Sequence, residues 1–159
     1  MPDAEPRIPT PGLEYVMRVV VELEPIHSAG LGPWGERRLV PIVGGHFEGP
    51  RLRGRVLAGG ADWQVVHPDS MITVDTHYGL QTDDGALIYI STRGVRVASP
   101  ETAVRLQRGD PVDSSEYYFR IVATLETGAP DYLWLNQRIF VAAVVRQTRA
   151  VAYDLYAVT

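Results

Sequence analysis

The sequence predicts an all-β fold, a barrel or sandwich of about eight to ten strands with one short helix. Three observations predict it. Short segments in which apolar and polar residues alternate recur through the chain at intervals of roughly 8–15 residues. Glycine, proline and Asp-Gly signals separate them. A single stretch, Ser99–Gly109, carries both start and stop signals of a helix. The chain has 159 residues, 45% of them apolar and 21% charged, which suits one folded domain without disulfide or metal staples.

Residues 1–12, "MPDAEPRIPTPG", read as a flexible N-terminal arm, and 13–159 as the barrel domain. The arm is rich in proline and lacks the basic-then-apolar order of a secretory signal. "LEYVMRVVVELE" is the first strand, with Tyr15, Met17, Val19, Val21 and Leu23 on one face and Glu14, Arg18 and Glu22 on the other. "HSAGLGPWGERR" reads as a loop because of its glycines and Pro33. "RLVPIVGGHFEG" resumes as a strand, in which Pro41 requires an edge or a bulge and Gly44–Gly45 a bend. "RLRGRVLA", "DWQVV", "MITVDTHYGL", "ALIYIST" and "GVRVAS" follow as short strands, with a tight turn at Asp83–Gly85. In the helix, Ser99 is the N-cap, Pro100 the first helical residue and Gly109 the stop. "SEYYFRIVATLE", "QRIFVAAVVRQ" and "AVAYDLYAV" complete the strands, and "TGAPDYLWLN" between the first two is a turn or a single helical turn.

Composition removes several classes of function. There is no cysteine, so disulfides, thiolate catalysis and Cys-ligated metals are excluded. The absence is compatible with a cytoplasmic location, which is the expectation here. All fifteen basic residues are arginine, so Schiff-base chemistry and a P-loop lysine are excluded as well. A net charge of −4 without a basic run argues against nucleic acid. No apolar run approaches the ~18–20 residues of a membrane helix.

The glycine-rich stretch "GGHFEGPRLRGRVLAGGADW" fits neither phosphate-loop pattern, since Pro50 stands where a lysine is required and no long helix follows. Its glycine pairs read as bends in a sheet. His46-x-Glu48 and Asp75-x-His77 each place two potential ligands on one strand face, yet such pairs are also what any solvated strand shows, and no metal is expected. Glu48, Asp62 and Asp75 lie in or beside apolar strand sequence, where desolvation would disfavour the charged carboxylate unless an arginine pairs with it. In the C-terminal half, Tyr118 with Arg120, and Trp134, Asn136 and Arg138 at i, i+2, i+4, would line a pocket if both segments are extended.

"VPIVGGHFEGPRLRGRVLAGGADWQ", "YGLQTDDGALIYISTRGVR", "EYYFR" and "YLWLNQRIFVAAVVRQTRAVAYDLYAV" together resemble the domain-of-unknown-function family 3237, also called uncharacterised protein family 0311, over residues 13–158. The resemblance implies a single compact antiparallel β-barrel, broadly lipocalin-like. It also implies a link to small-molecule metabolism in some members, cyclisation steps included. Members commonly carry arginine where this chain has His77, which puts an anion-binding role there in doubt. The matched positions carried over as candidate pocket residues are Glu48, Asp62, Trp63, Asp75, Tyr89, Tyr118, Arg120, Trp134, Asn136 and Arg138.

The resulting expectation is a barrel that takes a small, largely apolar or aromatic molecule inside and performs acid/base chemistry without a cofactor. Asp75 or Glu48 would move a proton, and Arg120 or Arg138 would stabilise negative charge on an oxygen. Asp62, Trp63, His77, Tyr89, Tyr118, Trp134, Asn136 and Arg138 are the expected ligand contacts. Two rivals stand beside it: a non-catalytic binding or carrier barrel, and a homo-oligomeric interaction module. A buried carboxylate that lacks an arginine partner and faces an enclosed cavity favours catalysis over carriage.

Overall fold

The computed structural model describes residues 4–159. Ten strands run in chain order: β1 (Leu13–Leu23), β2 (His27–Gly32), β3 (Gly35–Glu48), β4 (Arg53–Val56), β5 (Ala61–Val66), β6 (Ile72–Thr82), β7 (Leu87–Ala98), β8 (Tyr117–Glu126), β9 (Phe140–Arg146) and β10 (Ala150–Val158). They form eight staves. β4 and β5 are two lengths of one stave, since both lie between β3 and β6. β1 and β2 share another, each pairing with β3 on the same edge. The order β1-β10-β9-β8-β7-β6-β4/β5-β3 closes through a β1–β3 ladder, and every pairing is antiparallel. Closure removes the free edges that an open sheet would present.

Local chemistry explains the joints. α1 (Pro100–Arg108) is capped by Ser99, whose Oγ accepts from the Thr102 amide at 3.2 Å, and it ends on Gly109 in the left-handed region at φ 77°. The Asp83–Gly85 turn joins β6 to β7, with the Gly85 amide donating to the Thr82 carbonyl at 2.9 Å. Gly45 has φ 132°, and a Cβ there would meet the Val20 carbonyl oxygen at 2.0 Å. Only glycine permits that bend and that approach of β1. Of the expected arm, residues 4–12 are exposed and carry no helix or strand, while Gly12 exchanges two backbone hydrogen bonds with Thr159. Residues 1–3 lie outside the described residues.

Three local expectations are corrected. "HSAGLGPWGERR" is a hairpin rather than a loop: β2 continues the β1 stave after a break at Glu24–Ile26, and Pro41, lacking an N–H, falls opposite that break. A bulge between Tyr15 and Met17 buries both Val16 and Met17 and turns Tyr15 outward, so the strict alternation expected for β1 fails there. "PDYLWLNQ" is helical, one of the two forms expected, but as a 3₁₀ helix over Pro130–Gln137 longer than a single turn, so the face that Trp134, Asn136 and Arg138 would share if extended does not exist.

The barrel is filled at one end and hollow at the other. Met17, Leu80, Ile88, Leu125, Phe140 and Leu155 are fully buried in a continuous apolar cluster, with Leu135 of the 3₁₀ helix packed into the same cluster. None of these residues lines the cavity. Each such side chain contributes about 1.5–3 kcal/mol by leaving water. They anchor the wall that holds the opposite half open.

Candidate functional site

The hollow half holds a cavity of about 500 Å³ that opens to solvent at one end, a ligand-sized space. Strand parity decides what lines it. On β6 the inward series is Ile72, Val74, Thr76 and Tyr78, and on β7 it includes Thr92 and Arg96. β5 contributes Asp62 and Gln64, β3 Arg38 and Val40, β9 Val144 and Arg146, and β10 Val151 and Tyr153. The walls are apolar, and the polar groups gather in two sets.

The first set surrounds Asp62. Gln64 Nε2 donates to Asp62 Oδ2 at 2.7 Å, and Thr76 Oγ1 to Oδ1 at 2.9 Å. The Asp75 backbone amide also donates to Oδ1, at 3.2 Å. Burial nevertheless raises the Asp62 pKa above the ordinary carboxylate range, with the nearby Asp75 charge adding to it and the three hydrogen bonds opposing it. No arginine forms an ion pair with Asp62 among the described residues. Deeper in the barrel the Tyr78 and Tyr153 hydroxyls hydrogen-bond to each other, both side chains being buried. Burial pushes both phenols up, so both stay protonated and one hydroxyl proton remains to be donated elsewhere.

The second set is arginine. Arg38 is buried and paired with Glu36 at 3.0 Å; Glu36 also accepts from Ser28 Oγ at 2.8 Å. These contacts, the Arg38 hydrogen bond foremost, hold Glu36 below its usual range. Arg96 is only 7% exposed and faces the cavity. Burial first, then the charges of Arg146 and Arg38, lower its pKa to about 10. Burial first, then the Arg38 charge, shifts Arg146 down as well. Its Nε donates to the Gln147 carbonyl at 3.2 Å.

Most of the residues expected from sequence stand elsewhere. The expectation that Asp75, Glu48 and Arg120 reach the interior is corrected by parity, since each projects to the outer face of its strand. Asp75 Oδ1 accepts from His77 Nε2 at 2.9 Å and lies 3.6 Å from Arg93 Nε, while His77 Nδ1 meets the Tyr89 hydroxyl at 2.6 Å. This outer chain brings Asp75, His77 and Tyr89 together, but in solvent. Trp63 is exposed on the outside of β5. Arg120 stacks over the outward Tyr118 ring at 4.8 Å. Trp134 lies under the Arg51 guanidinium at 3.8 Å, and Asn136 pins the Thr127 backbone by two hydrogen bonds. Arg138 is exposed and bonds the neighbouring Gln137 carbonyl. Asp62 alone of the expected set faces the cavity. Among the described residues, His46, Glu48, Asp75 and His77 form no group of three or more metal-ligating side chains.

Sequence reasoning missed Arg38, Gln64, Thr76, Tyr78, Arg96, Arg146 and Tyr153. A usable signal was present: each of Thr76, Tyr78, Arg96 and Arg146 is a polar member of an otherwise apolar alternate-residue series.

Comparison with known proteins places this architecture. A UPF0311 protein of Rhodopseudomonas palustris is 39% identical over 151 residues, covering 94% of this chain and 99% of the relative. The crystal structure of a Rhodopseudomonas palustris protein of unknown function superposes with a TM-score of 0.92 at 38% identity, covering 96% of this chain and all of that one. A β-barrel-like protein from Acinetobacter baumannii gives 0.85 at 44% identity over 96% of this chain and 99% of that one. An enzyme from Penicillium herquei matches at 0.72 with 21% identity over 98% of this chain and all of that one, a likeness of fold alone. Residues 11–158 match the family model described as a protein of unknown function, DUF3237. With that match over nearly its whole length, this barrel belongs to the DUF3237 family.

Proposed function

We propose that the barrel binds a small, largely apolar or aromatic molecule in its interior and moves a proton on it, with Asp62 as the acid/base and no cofactor required for that step. One observation carries this reading: Asp62 is a carboxylate facing the interior cavity without an arginine ion pair, its pKa raised by burial. A raised carboxylate is a stronger base once ionised and an available acid when protonated. The free proton of the Tyr78–Tyr153 pair would be donated to an oxygen of the substrate as negative charge develops there. The reaction would be of the lyase, hydratase, isomerase or cyclase kind. An enzyme in Penicillium herquei shares the architecture, so the fold is compatible with catalysis.

The test is proton exchange. A panel of aryl alkyl ketones is incubated with the protein in D₂O and deuterium α to the carbonyl is followed by NMR. Wild type catalyses the exchange, and Asp62→Asn loses it by about 10²–10⁴-fold. Equal exchange in the variant, or bound ketones that do not exchange, would convert the reading to a binding barrel.

A homo-oligomer is a second reading, favoured by the outer sheet face. Tyr118 and Val122 are each 51% exposed there and, with Leu13, line a shallow concavity over Val141 and Ala143.

A further inference from the structure

Arg96 and Arg146 have no counterpart in the acid/base reading. Arg96 is only 7% exposed, and a guanidinium held so far inside is costly unless something pairs with it. Among the described residues Arg96 donates to no side chain and forms no ion pair, and the Arg146 guanidinium bonds only the neighbouring Gln147 carbonyl. Arg38, the third guanidinium of the group, already holds Glu36. The three come from β3, β7 and β9, and each lines the same cavity. Taking the whole lining, Arg38, Arg96, Arg146 and Arg149 face Glu24, Glu36 and Asp62. The excess is one positive charge with Asp62 ionised and two with it protonated.

The ladders also say where this charge lies. Arg96 pairs with Ile72 and Arg146 with Val151, both at the mouth end of the cavity. Tyr78 lies six residues further along β6, on the side of the apolar plug. The cavity is therefore polarised: guanidinium groups toward the mouth, the tyrosine pair deep inside, and Asp62 and apolar walls between them.

We infer that Arg96 and Arg146 form an anion subsite, and that the molecule taken by this barrel carries a carboxylate at one end of an apolar or aromatic body. The inference rests on the interior-binding reading and names its substrate class. The carboxylate enters last and lies against the two guanidinium groups at the mouth, which fixes the orientation of the ligand. The apolar body then occupies the space between Val144, Ile72 and Ile121, and presents its far end to Asp62 and the tyrosines. A monoanion matches the charge excess with Asp62 ionised.

Calorimetry with matched pairs tests this: 2-naphthoate against 2-naphthamide and cinnamate against cinnamamide, with phenyl phosphate as the dianionic arm. The carboxylate is expected to bind wild type roughly ten- to a hundredfold more tightly than its amide. Arg96→Gln and Arg146→Gln each bring the carboxylate toward the affinity of the amide and leave the amide unchanged. Thermal unfolding of wild type in saturating naphthoate and naphthamide repeats the comparison without any substitution. Equal affinities within both pairs, or a preference that survives both substitutions, overturn the anion subsite and leave interior binding standing. Tighter binding of phenyl phosphate than of either acid overturns the carboxylate assignment. If no member of either pair binds, both readings fall together.

Discussion

Asp62 and Asp75 lie on neighbouring strands, and the backbone amide of the second donates to the carboxylate of the first. Their surroundings nevertheless differ completely. Asp62 faces the cavity, accepts hydrogen bonds from neutral donors, and has its charged form disfavoured by burial. Asp75 faces water, bonded to His77 and near Arg93. The sheet is one residue thick, so the parity of a position decides which solvent a carboxylate meets. In the proposed function that difference matters more than residue type.

The sharpest break of the comparison is chemical. If interior chemistry depends on Asp62, Asp62→Asn loses proton exchange by about 10²–10⁴-fold while Asp75→Asn changes it less than about twofold. Comparable losses in both would show that the outer chain participates and that parity does not sort the two roles. The same contrast applies to arginine: Arg96→Gln removes the carboxylate preference, and the outward Arg120→Gln leaves it intact.

A smaller effect separates the two carboxylates in stability. Asp62 binds its proton more tightly in the folded chain than in the unfolded one. Its contribution therefore favours folding below the unfolded-state carboxylate range and is lost as the pH rises through its raised folded value. Glu36, Asp84, Asp113, Glu116 and Asp154, all held below their usual range, contribute the opposite slope. The loss is therefore read as the difference between wild type and Asp62→Asn in urea unfolding, with the variant gaining relative to wild type as the pH rises. A difference that stays constant over that range would contradict the burial argument. On the outer face, His77→Ala should cost no more than about 1 kcal/mol, as exposed ion pairs do. Light scattering on Val122→Glu probes the outer sheet: a shift to a smaller species supports self-association there, and an unchanged mass removes it.

Much of the fold was legible because its signals are local. The Ser99 cap and Gly109 stop bounded the helix, the Asp83–Gly85 turn placed a hairpin, and alternation marked most of the strands. β2 was misread because its glycines and Pro33 resemble loop chemistry, although its backbone pairs with β3. The site was far less legible. Asp62 was found, but Asp75, Glu48 and Arg120 were favoured for being charged within apolar sequence, when outward positions of a barrel strand are where charge belongs. The better guide was the polar residue that shares parity with the apolar series, as Thr76 and Tyr78 do with Ile72 and Val74.

The sequence by itself determined an all-β chain, its turns and helix caps, the absence of cysteine and lysine chemistry, and the arginine-only basic set. These are properties of composition and of neighbours a few residues apart. Only the tertiary structure decided that β1 closes on β3, which half of the barrel stays hollow, and which face of each strand is inside. The reason is physical: inside and outside are defined only once the sheet closes, and the Tyr15–Met17 bulge shows how one extra residue reverses parity along a strand. Arg38, Arg96 and Arg146 are separated by about fifty residues at each step, and closure alone brings their charges to one cavity.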